Sequence, residues 1–210
     1  MLQTKAINTK VFFNLAIKEL KIEPKRFQLL KETASQIVKE FKKTNKVNLN
    51  YICTHNSRRS QLSQVWSAYA SNYYNLNTIS SFSGGTAVTA FYRNTVKTLQ
   101  EVGFIFKIEE FSHQNPKYSI SYEECKKPIK GFSKLYDNKA NKKPYIAITT
   151  CSNADENCPF IPDAIHRFHL PFVDPKSSDG FINQAETYLE TNKQIAGEIH
   201  TIFKIVYDSL

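Results

Sequence analysis

The sequence has no long hydrophobic run and few cysteines. None of its apolar stretches reaches the roughly 18 residues that a transmembrane helix needs, so we expect no membrane partner. Four cysteines in 210 residues are too few for a secreted disulfide framework. In a cytosolic chain, cysteines are more often catalytic, redox-active or metal-binding. The first ten residues contain no apolar segment followed by small residues, so we expect no signal peptide and a cytoplasmic location.

Positive charge is concentrated in two segments of the chain. The formal net charge is +9. Residues 1–46 contain eleven Lys and Arg against four Asp and Glu, and residues 126–143 form a second basic stretch. Such a surface could attract nucleic acid, but no nucleic-acid-binding motif accompanies the charge. We therefore interpret the basic residues as solvated faces and do not expect nucleic acid as a partner.

Hydrophobic periodicity divides the chain into an N-terminal extension and a main domain. Residues 10–21 and 24–43 have the pattern of two helices. In the second helix, apolar residues at steps of three and four form one stripe, which must pack on the main domain or on a partner. We place the boundary after residue 46, so that 1–46 is a helical extension and 47–210 is the main domain.

Strands and helices alternate from residue 47 onward. The pattern predicts strands at 47–54, 78–83, 104–111, 117–122, 144–150 and 166–171, and helices at 57–73, 88–102 and 182–207. The last helix is expected to break near Gly197, and a Lys-rich loop is expected to run up to residue 143. Alternation of this kind is typical of βαβ units and a mostly parallel sheet, so the expected fold class is α/β.

The clearest chemical motif lies between the first strand of the main domain and the helix that follows it. This segment, called the anion loop below, comprises Cys53, Thr54, His55, Asn56, Ser57, Arg58, Arg59 and Ser60. A tight strand-to-helix loop points backbone N–H groups at an anion, and the helix N-terminus adds partial positive charge. Arg59 can hold two oxygens of a tetrahedral oxyanion. The same field favours a thiolate at Cys53, and Ser60 can bond to that thiolate or cap the helix. The alternative is a buried structural cysteine at a strand end.

A second motif places Cys151 and Cys158 on either side of a polar segment, directly after the strand predicted at 144–150. Two thiols seven residues apart can form a disulfide if their Cα atoms come within about 4.4–6.8 Å. His166 and His169 would complete a metal-binding set, but the spacing is not a usual zinc pattern, and no metal is expected. Two unrelated buried cysteines remain the other interpretation.

A third motif is Asp174 before Pro175, at the end of a strand-like segment. An Asp–Pro pair usually marks a turn. Sites on parallel sheets form at the carboxyl ends of the strands, so Asp174 could instead reach the mouth of the anion loop. A carboxylic acid in that place would protonate a departing oxygen.

The three motifs, in this order, resemble the low-molecular-weight protein tyrosine phosphatase superfamily. The anion loop resembles its phosphate-binding loop, Ser83-Gly84-Gly85 its small-residue segment and Val173-Asp174-Pro175 its Asp–Pro loop. The Cys151/Cys158 pair is more specific, because it resembles the redox loop of the thioredoxin-coupled arsenate reductases. The similarity covers 47–210. His55, Arg58, Gln64 and the region 104–143 depart from the family pattern.

The resemblance implies a three-layer sandwich around a mostly parallel four-stranded sheet, and a three-cysteine mechanism. Cys53 would attack arsenate, Cys151 would release arsenite, and Cys158 would leave a disulfide for thioredoxin to reduce. The implied catalytic residues are Cys53, Arg59, Ser60, Cys151, Cys158 and Asp174. The implied substrate-binding residues are Thr54, His55, Asn56, Ser57, Arg58 and Arg59. No cofactor or metal is expected.

Two other functions stay open at this stage. Arsenate and phosphate share shape and charge, so Cys53, Arg59 and Asp174 alone would suit a phosphatase acting on phosphate monoesters through a phosphocysteine. A module that binds anions or senses redox state without catalysis is the third possibility.

Overall fold

The computed structural model describes residues 8–157 and 160–210. The helices are α1 (Thr9–Glu19), α2 (Pro24–Thr44), α3 (Arg59–Tyr73), α4 (Arg93–Glu101), α5 (Ser152–Asn157) and α6 (Gln184–Asp208). The strands are β1 (Val47–Cys53), β2 (Ile79–Gly85), β3 (Ile105–Glu110), β4 (Lys117–Ser121), β5 (Ile129–Gly131), β6 (Tyr145–Thr149) and β7 (Ala164–His169). A short 3₁₀ helix, Pro175–Ser178, precedes α6. Among the described residues, no helix combines the length and apolarity needed to cross a bilayer.

Four strands form the central sheet in the order β2-β1-β6-β7, and each neighbouring pair is parallel. Strands β1 and β6 are buried along their whole length. Burial of this kind is expected when both faces of a parallel sheet are covered. The prediction of an α/β fold around a mostly parallel four-stranded sheet is confirmed.

The two faces of the sheet bury two different apolar clusters. Successive side chains of a strand point to opposite faces, so Tyr51 joins the large cluster while Ile52 joins the small one. The large cluster contains the buried apolar residues of α1, α2, α3 and α6. The small cluster contains Cys53 and Cys151. Both thiols therefore belong to the small cluster and not to the main core.

Helix α1 packs on α3 and α6. Phe13 stacks on Trp66 and on His200, with ring centroids 5.5 Å and 4.0 Å apart. Helix α6 runs through Gly197 without interruption, so the predicted break there is wrong. A Cβ at Gly197 would lie 2.8 Å from the carbonyl oxygen of Ala16. Glycine at this position lets α1 approach α6 closely, and it does not end the helix.

Helix α4 begins at Arg93, so the helix predicted from residue 88 starts five residues too early. Two backbone N–H groups before α4 bind carbonyls of the anion loop. Ala87 donates its N–H to the Thr54 carbonyl, and Tyr92 donates to the Ser57 carbonyl. The segment before α4 is extended because its N–H groups bind the anion loop.

The region that departs from the family pattern forms a second sheet. Strands β3, β4 and β5 pair antiparallel in that order. The first two strands were predicted, whereas β5 lies where a loop was expected.

The last strand was predicted at 166–171 and is observed as β7 over Ala164–His169.

Candidate functional site

The anion loop joins β1 to α3 at the carboxyl edge of the central sheet. Cys53 is buried, and its sulfur lies 3.0 Å from the Ser60 hydroxyl. The Asn56 amide donates to the same hydroxyl over 2.9 Å. A hydroxyl that accepts from Asn56 in this way can orient its own hydrogen toward the sulfur. The predicted pairing of Cys53 with Ser60 is thus present in the geometry.

The tight bend of the loop occurs at Asn56, the one loop residue with positive φ, at 46°. Asparagine tolerates this left-handed conformation better than most non-glycine residues. His55, which stands where the family usually has glycine, is not among the described residues with positive φ, and its side chain is exposed. The histidine therefore imposes no backbone strain on the loop.

Residues 132–134 form the floor of the anion loop. The Phe132 carbonyl accepts from Gln61 over 2.9 Å, and the Ser133 hydroxyl donates to the His55 carbonyl over 2.9 Å. The Lys134 N–H donates to the Asn56 side-chain oxygen over 2.9 Å. The Lys134 side chain is buried, which lowers its pKa to about 8. These hydrogen bonds with residues 132–134 therefore hold the anion loop in its shape.

Gly85 lies on the other side of the loop, at the end of β2. A Cβ at this position would lie 2.7 Å from the Thr54 carbonyl oxygen and 2.8 Å from the Asn56 nitrogen. Any larger residue would push the loop out of place. This close approach is a physical reason for the small-residue segment that follows the second predicted strand.

Arg59 and Asp174 form an ion pair above the loop. One Nη of Arg59 lies 2.5 Å from an Asp174 carboxylate oxygen, and the other donates to the Phe172 carbonyl over 3.1 Å. The Asp174 side chain keeps about a third of its surface in solvent. The structure therefore brings the predicted acid to the predicted anion-binding arginine, although 115 positions separate them.

Cys151 lies against the start of the anion loop. Its sulfur is 3.5 Å from the Thr54 hydroxyl, which also donates to the Asn153 side-chain oxygen over 2.9 Å. The Ala154 N–H donates to the same sulfur over 3.4 Å. Cys53, Cys125 and Cys151 are all free thiols. Thr54 is therefore a residue of the anion loop whose side chain contacts Cys151.

Helix α5, which begins directly after Cys151, is held to the sheet by Asp155. Its carboxylate accepts from the Thr149 hydroxyl over 2.7 Å and from Arg167 over 2.5 Å. Burial works against the charge of Asp155, but these hydrogen bonds and the nearby His169 lower its pKa below the usual value. Cys158, the third predicted relay cysteine, lies outside the described residues.

Arg58 points its guanidinium at groups from outside the anion loop. It donates to Asp179 and to the Tyr188 hydroxyl, each over 2.7 Å, and it lies 3.9 Å from the Tyr92 ring centroid. These groups occupy the Arg58 side chain. The predicted contact of Arg58 with substrate therefore concerns its backbone N–H, and it stays a prediction. The residues that hold its side chain carry no local sequence signal.

The N-terminal extension reaches the site through Arg26 of α2. Its guanidinium makes a two-pronged ion pair with Glu198, at 2.7–3.1 Å, and lies 5.0 Å from the Phe172 ring centroid. Phe172 is the residue whose carbonyl accepts from Arg59. Sequence reasoning missed Arg26, because nothing in its helical pattern distinguishes it from the other basic residues of the extension.

Gln64, which also departs from the family pattern, is fully engaged by protein groups. Its amide nitrogen donates to the Lys130 carbonyl over 3.0 Å, and its oxygen accepts from Ser83 over 2.5 Å. Within the described ranges, no group of three His, Cys, Asp or Glu side chains is placed to hold a metal ion.

No protein-family model matches the chain. An arsenate reductase of Brevibacillus brevis is 29% identical over 136 residues, which cover 64% of this chain and 81% of that protein. The chain is similar to arsenate reductases. One from Staphylococcus aureus strain Newman is 28% identical over 131 residues, covering 62% and 79%. The resemblance stated from the motifs is confirmed.

Solved structures agree with the fold. A mutant of YwlE from Bacillus subtilis covers 76% of this chain and 97% of its own, with a TM-score of 0.53 and 13% identity. A low-molecular-weight protein tyrosine phosphatase from T. tengcongensis covers 76% and 99%, with a TM-score of 0.51 and 15% identity. At these identities the likeness concerns the fold alone.

Proposed function

We propose that the chain is an arsenate reductase that works through a relay of three cysteines. The observation that supports this most is the place of Cys151, which is buried in the same small cluster as Cys53 and contacts Thr54 of the anion loop. Hydrolysis of a phosphate ester needs no second thiol at this position. Reduction of arsenate does, because two electrons must pass from sulfur to arsenic.

The first step uses Cys53, Arg59 and Asp174. The oxyanion takes over the Arg59 guanidinium and thereby releases Asp174. The Cys53 thiolate forms a bond to arsenic while one As–O bond breaks, and Asp174 supplies a proton with which that oxygen leaves as water. Backbone N–H groups of residues 54–59 stabilise the remaining oxygens.

The next steps are thiol chemistry. The Cys151 thiolate attacks the Cys53 sulfur, the S–As bond breaks, and its electron pair stays on arsenic. Arsenic(V) thereby becomes arsenic(III), which leaves as arsenite, and a Cys53–Cys151 disulfide remains. Cys158 then attacks Cys151 and frees Cys53 as thiolate. We propose thioredoxin as the reductant of the Cys151–Cys158 disulfide, and the cytoplasm as the location, since the cycle needs a reducing compartment.

A phosphatase is the second candidate, because the Arg59–Asp174 arrangement serves a departing ester oxygen equally well. The deciding experiment follows NADPH oxidation with arsenate, thioredoxin and thioredoxin reductase. We compare the parent protein with Cys158→Ser and with Cys125→Ser, a matched thiol control. Cys125 donates to the Lys127 carbonyl within its own loop and packs against the large cluster, whereas Cys53 and Cys151 belong to the small one.

A reductase predicts arsenate-dependent oxidation that persists in Cys125→Ser and stops after a single turnover in Cys158→Ser. Turnover of Cys158→Ser at the parent rate would rule out the relay. Absence of oxidation, together with hydrolysis of an aryl phosphate that survives Cys158→Ser, would establish the phosphatase.

A further inference from the structure

Arg58 is the centre of a closed polar network, called the Arg58 clamp below, which also contains Asp179, Tyr188 and Tyr92. Arg58 donates to Asp179 and to the Tyr188 hydroxyl, and that hydroxyl donates to the other Asp179 oxygen over 2.7 Å. The Arg58 and Asp179 side chains are only 11% and 23% exposed, and Tyr188 is buried. Partly buried, charge-assisted bonds of this geometry are stronger than surface ion pairs.

The clamp holds the turn that carries the catalytic acid. Asp174 and Asp179 flank the 3₁₀ helix Pro175–Ser178 on its two sides. Two consecutive arginines of the anion loop therefore hold the two ends of one turn, Arg59 at Asp174 and Arg58 at Asp179. Pro175 and Ser178 of the turn are buried, whereas Val173 before it and Phe181 and Ile182 after it are exposed.

The two ion pairs differ in what the substrate does to them. Arg59 must bind the incoming oxyanion, and its bond to Asp174 is then lost. The oxyanion does not displace the contacts of the Arg58 clamp, because Asp179, Tyr188 and the Tyr92 ring already bind the Arg58 guanidinium. Burial disfavours the charge on Asp179, but the Tyr188 hydroxyl and the Arg58 charge prevail and lower its pKa. The carboxylate therefore stays charged at neutral pH.

We propose that Arg58 is a positioning residue, which acts through Asp179 and Tyr188 to keep the 174–179 turn over the anion loop after substrate has displaced Asp174 from Arg59. This deepens the proposed function and rests on it. It also gives a role to an arginine that stands where the family pattern usually has a cysteine. The Arg58 side chain touches no reacting atom, and its effect reaches the chemistry through Asp174.

The test is a double-mutant cycle with Asp174→Asn and Asp179→Asn, measured in a single turnover. A misplacement of about 1 Å can lower a rate by up to about 100-fold. We expect Asp179→Asn to slow the arsenate-dependent step by about 10- to 100-fold. Protection of Cys53 from alkylation by phosphate should change by less than about two-fold. In the Asp174→Asn background, Asp179→Asn should have almost no further effect, because groups that act through one another are not additive.

A matched control is Asp208→Asn, which breaks the exposed ion pair with Lys204 at the far end of α6 and should leave the rate unchanged. Tyr188→Phe removes one bond of the clamp and should give a smaller loss than Asp179→Asn. Equal slowing by Asp179→Asn in both backgrounds would overturn the proposal, since the clamp would then act on something other than Asp174.

Two further measurements separate this proposal from the reductase assignment. The cycle can be run on an aryl phosphate, because Asp174 would protonate the departing oxygen in either reaction. A parent that is inactive on arsenate but shows the non-additive cycle on the ester overturns the reductase alone. Hydrogen exchange needs no turnover, and the amides of residues 172–182 should exchange faster in Asp179→Asn. Unchanged exchange in that segment would overturn the clamp whatever the activity.

Discussion

The contact between Arg26 and Glu198 offers a direct test of what the N-terminal extension contributes. Arg26→Met removes three hydrogen bonds from Glu198, whose side chain is 3% exposed, and among the described residues leaves it only the Gln194 amide at 3.1 Å. Removing one partner of a buried ion pair costs about 3–5 kcal/mol, because the other charge stays buried. Arg26 keeps 20% of its side-chain surface in water. We therefore expect a loss of about 2–3 kcal/mol in the free energy of unfolding.

The assay is urea unfolding of the full chain, read as a shift of the midpoint at constant slope. The double variant Arg26→Met/Glu198→Met should recover to within about 1 kcal/mol of the parent, since it buries no unpaired charge. Lys193→Met is a matched control, because its ion pair with Glu19 also joins α6 to the extension but is exposed, and it should cost less than about 1 kcal/mol.

Function should not recover with stability in the double variant. The Phe172 ring loses its contact with the Arg26 guanidinium, and a cation–π contact is worth about 0.5–1 kcal/mol at an accessible site. Turnover should stay about two- to five-fold below that of the parent. If the double variant is as unstable as Arg26→Met, the loss does not come from an uncompensated charge, and the reasoning is refuted.

Two other predictions concern Thr54 and His200. Thr54→Val keeps the side-chain volume but removes the hydroxyl that binds Asn153 beside Cys151; loss of a hydrogen bond worth about 1 kcal/mol that positions Cys151 corresponds to about a five-fold slower formation of the Cys53–Cys151 disulfide. Quenched-flow trapping should show arsenate uptake by Cys53 unchanged, and slowing of both steps would contradict a role specific to Cys151. Burial, aided by the nearby Lys204 charge, lowers the pKa of His200, so the unfolded chain binds its proton first. As pH falls below about 6.5, the parent should lose up to about 1.4 kcal/mol of stability per pH unit relative to His200→Gln, measured by urea unfolding. Parallel stability curves would refute this assignment.

The parts of the site that could be predicted from sequence are those built from neighbouring residues. The anion loop lies between a strand and a helix that are adjacent in the chain. The relative positions of Cys53, Arg59 and Ser60 could therefore be predicted from the local sequence. Asp174 could be predicted because the carboxyl ends of parallel strands meet at one edge of the sheet. That general rule places the acid near the loop without any knowledge of side-chain contacts.

The remaining features depend on partners far away in sequence. Arg58 was expected to face the substrate, yet Asp179 and Tyr188, 121 and 130 positions away, hold its side chain. Gly197 was expected to break a helix, because the close approach of Ala16 cannot be seen in the local pattern. The start of α4 was misplaced for the same reason, since the preceding N–H groups bind the anion loop.

The floor of the anion loop has a consequence for how the protein folds. Gln61, His55 and Asn56 bind residues that follow them by 71 to 78 positions. Closing so long a segment costs conformational entropy before its bonds form, whereas a helix such as α3 needs only local contacts. The helices should therefore form before the loop reaches its final shape. During refolding, the ability to bind an oxyanion should appear only after most of the helical signal has been recovered.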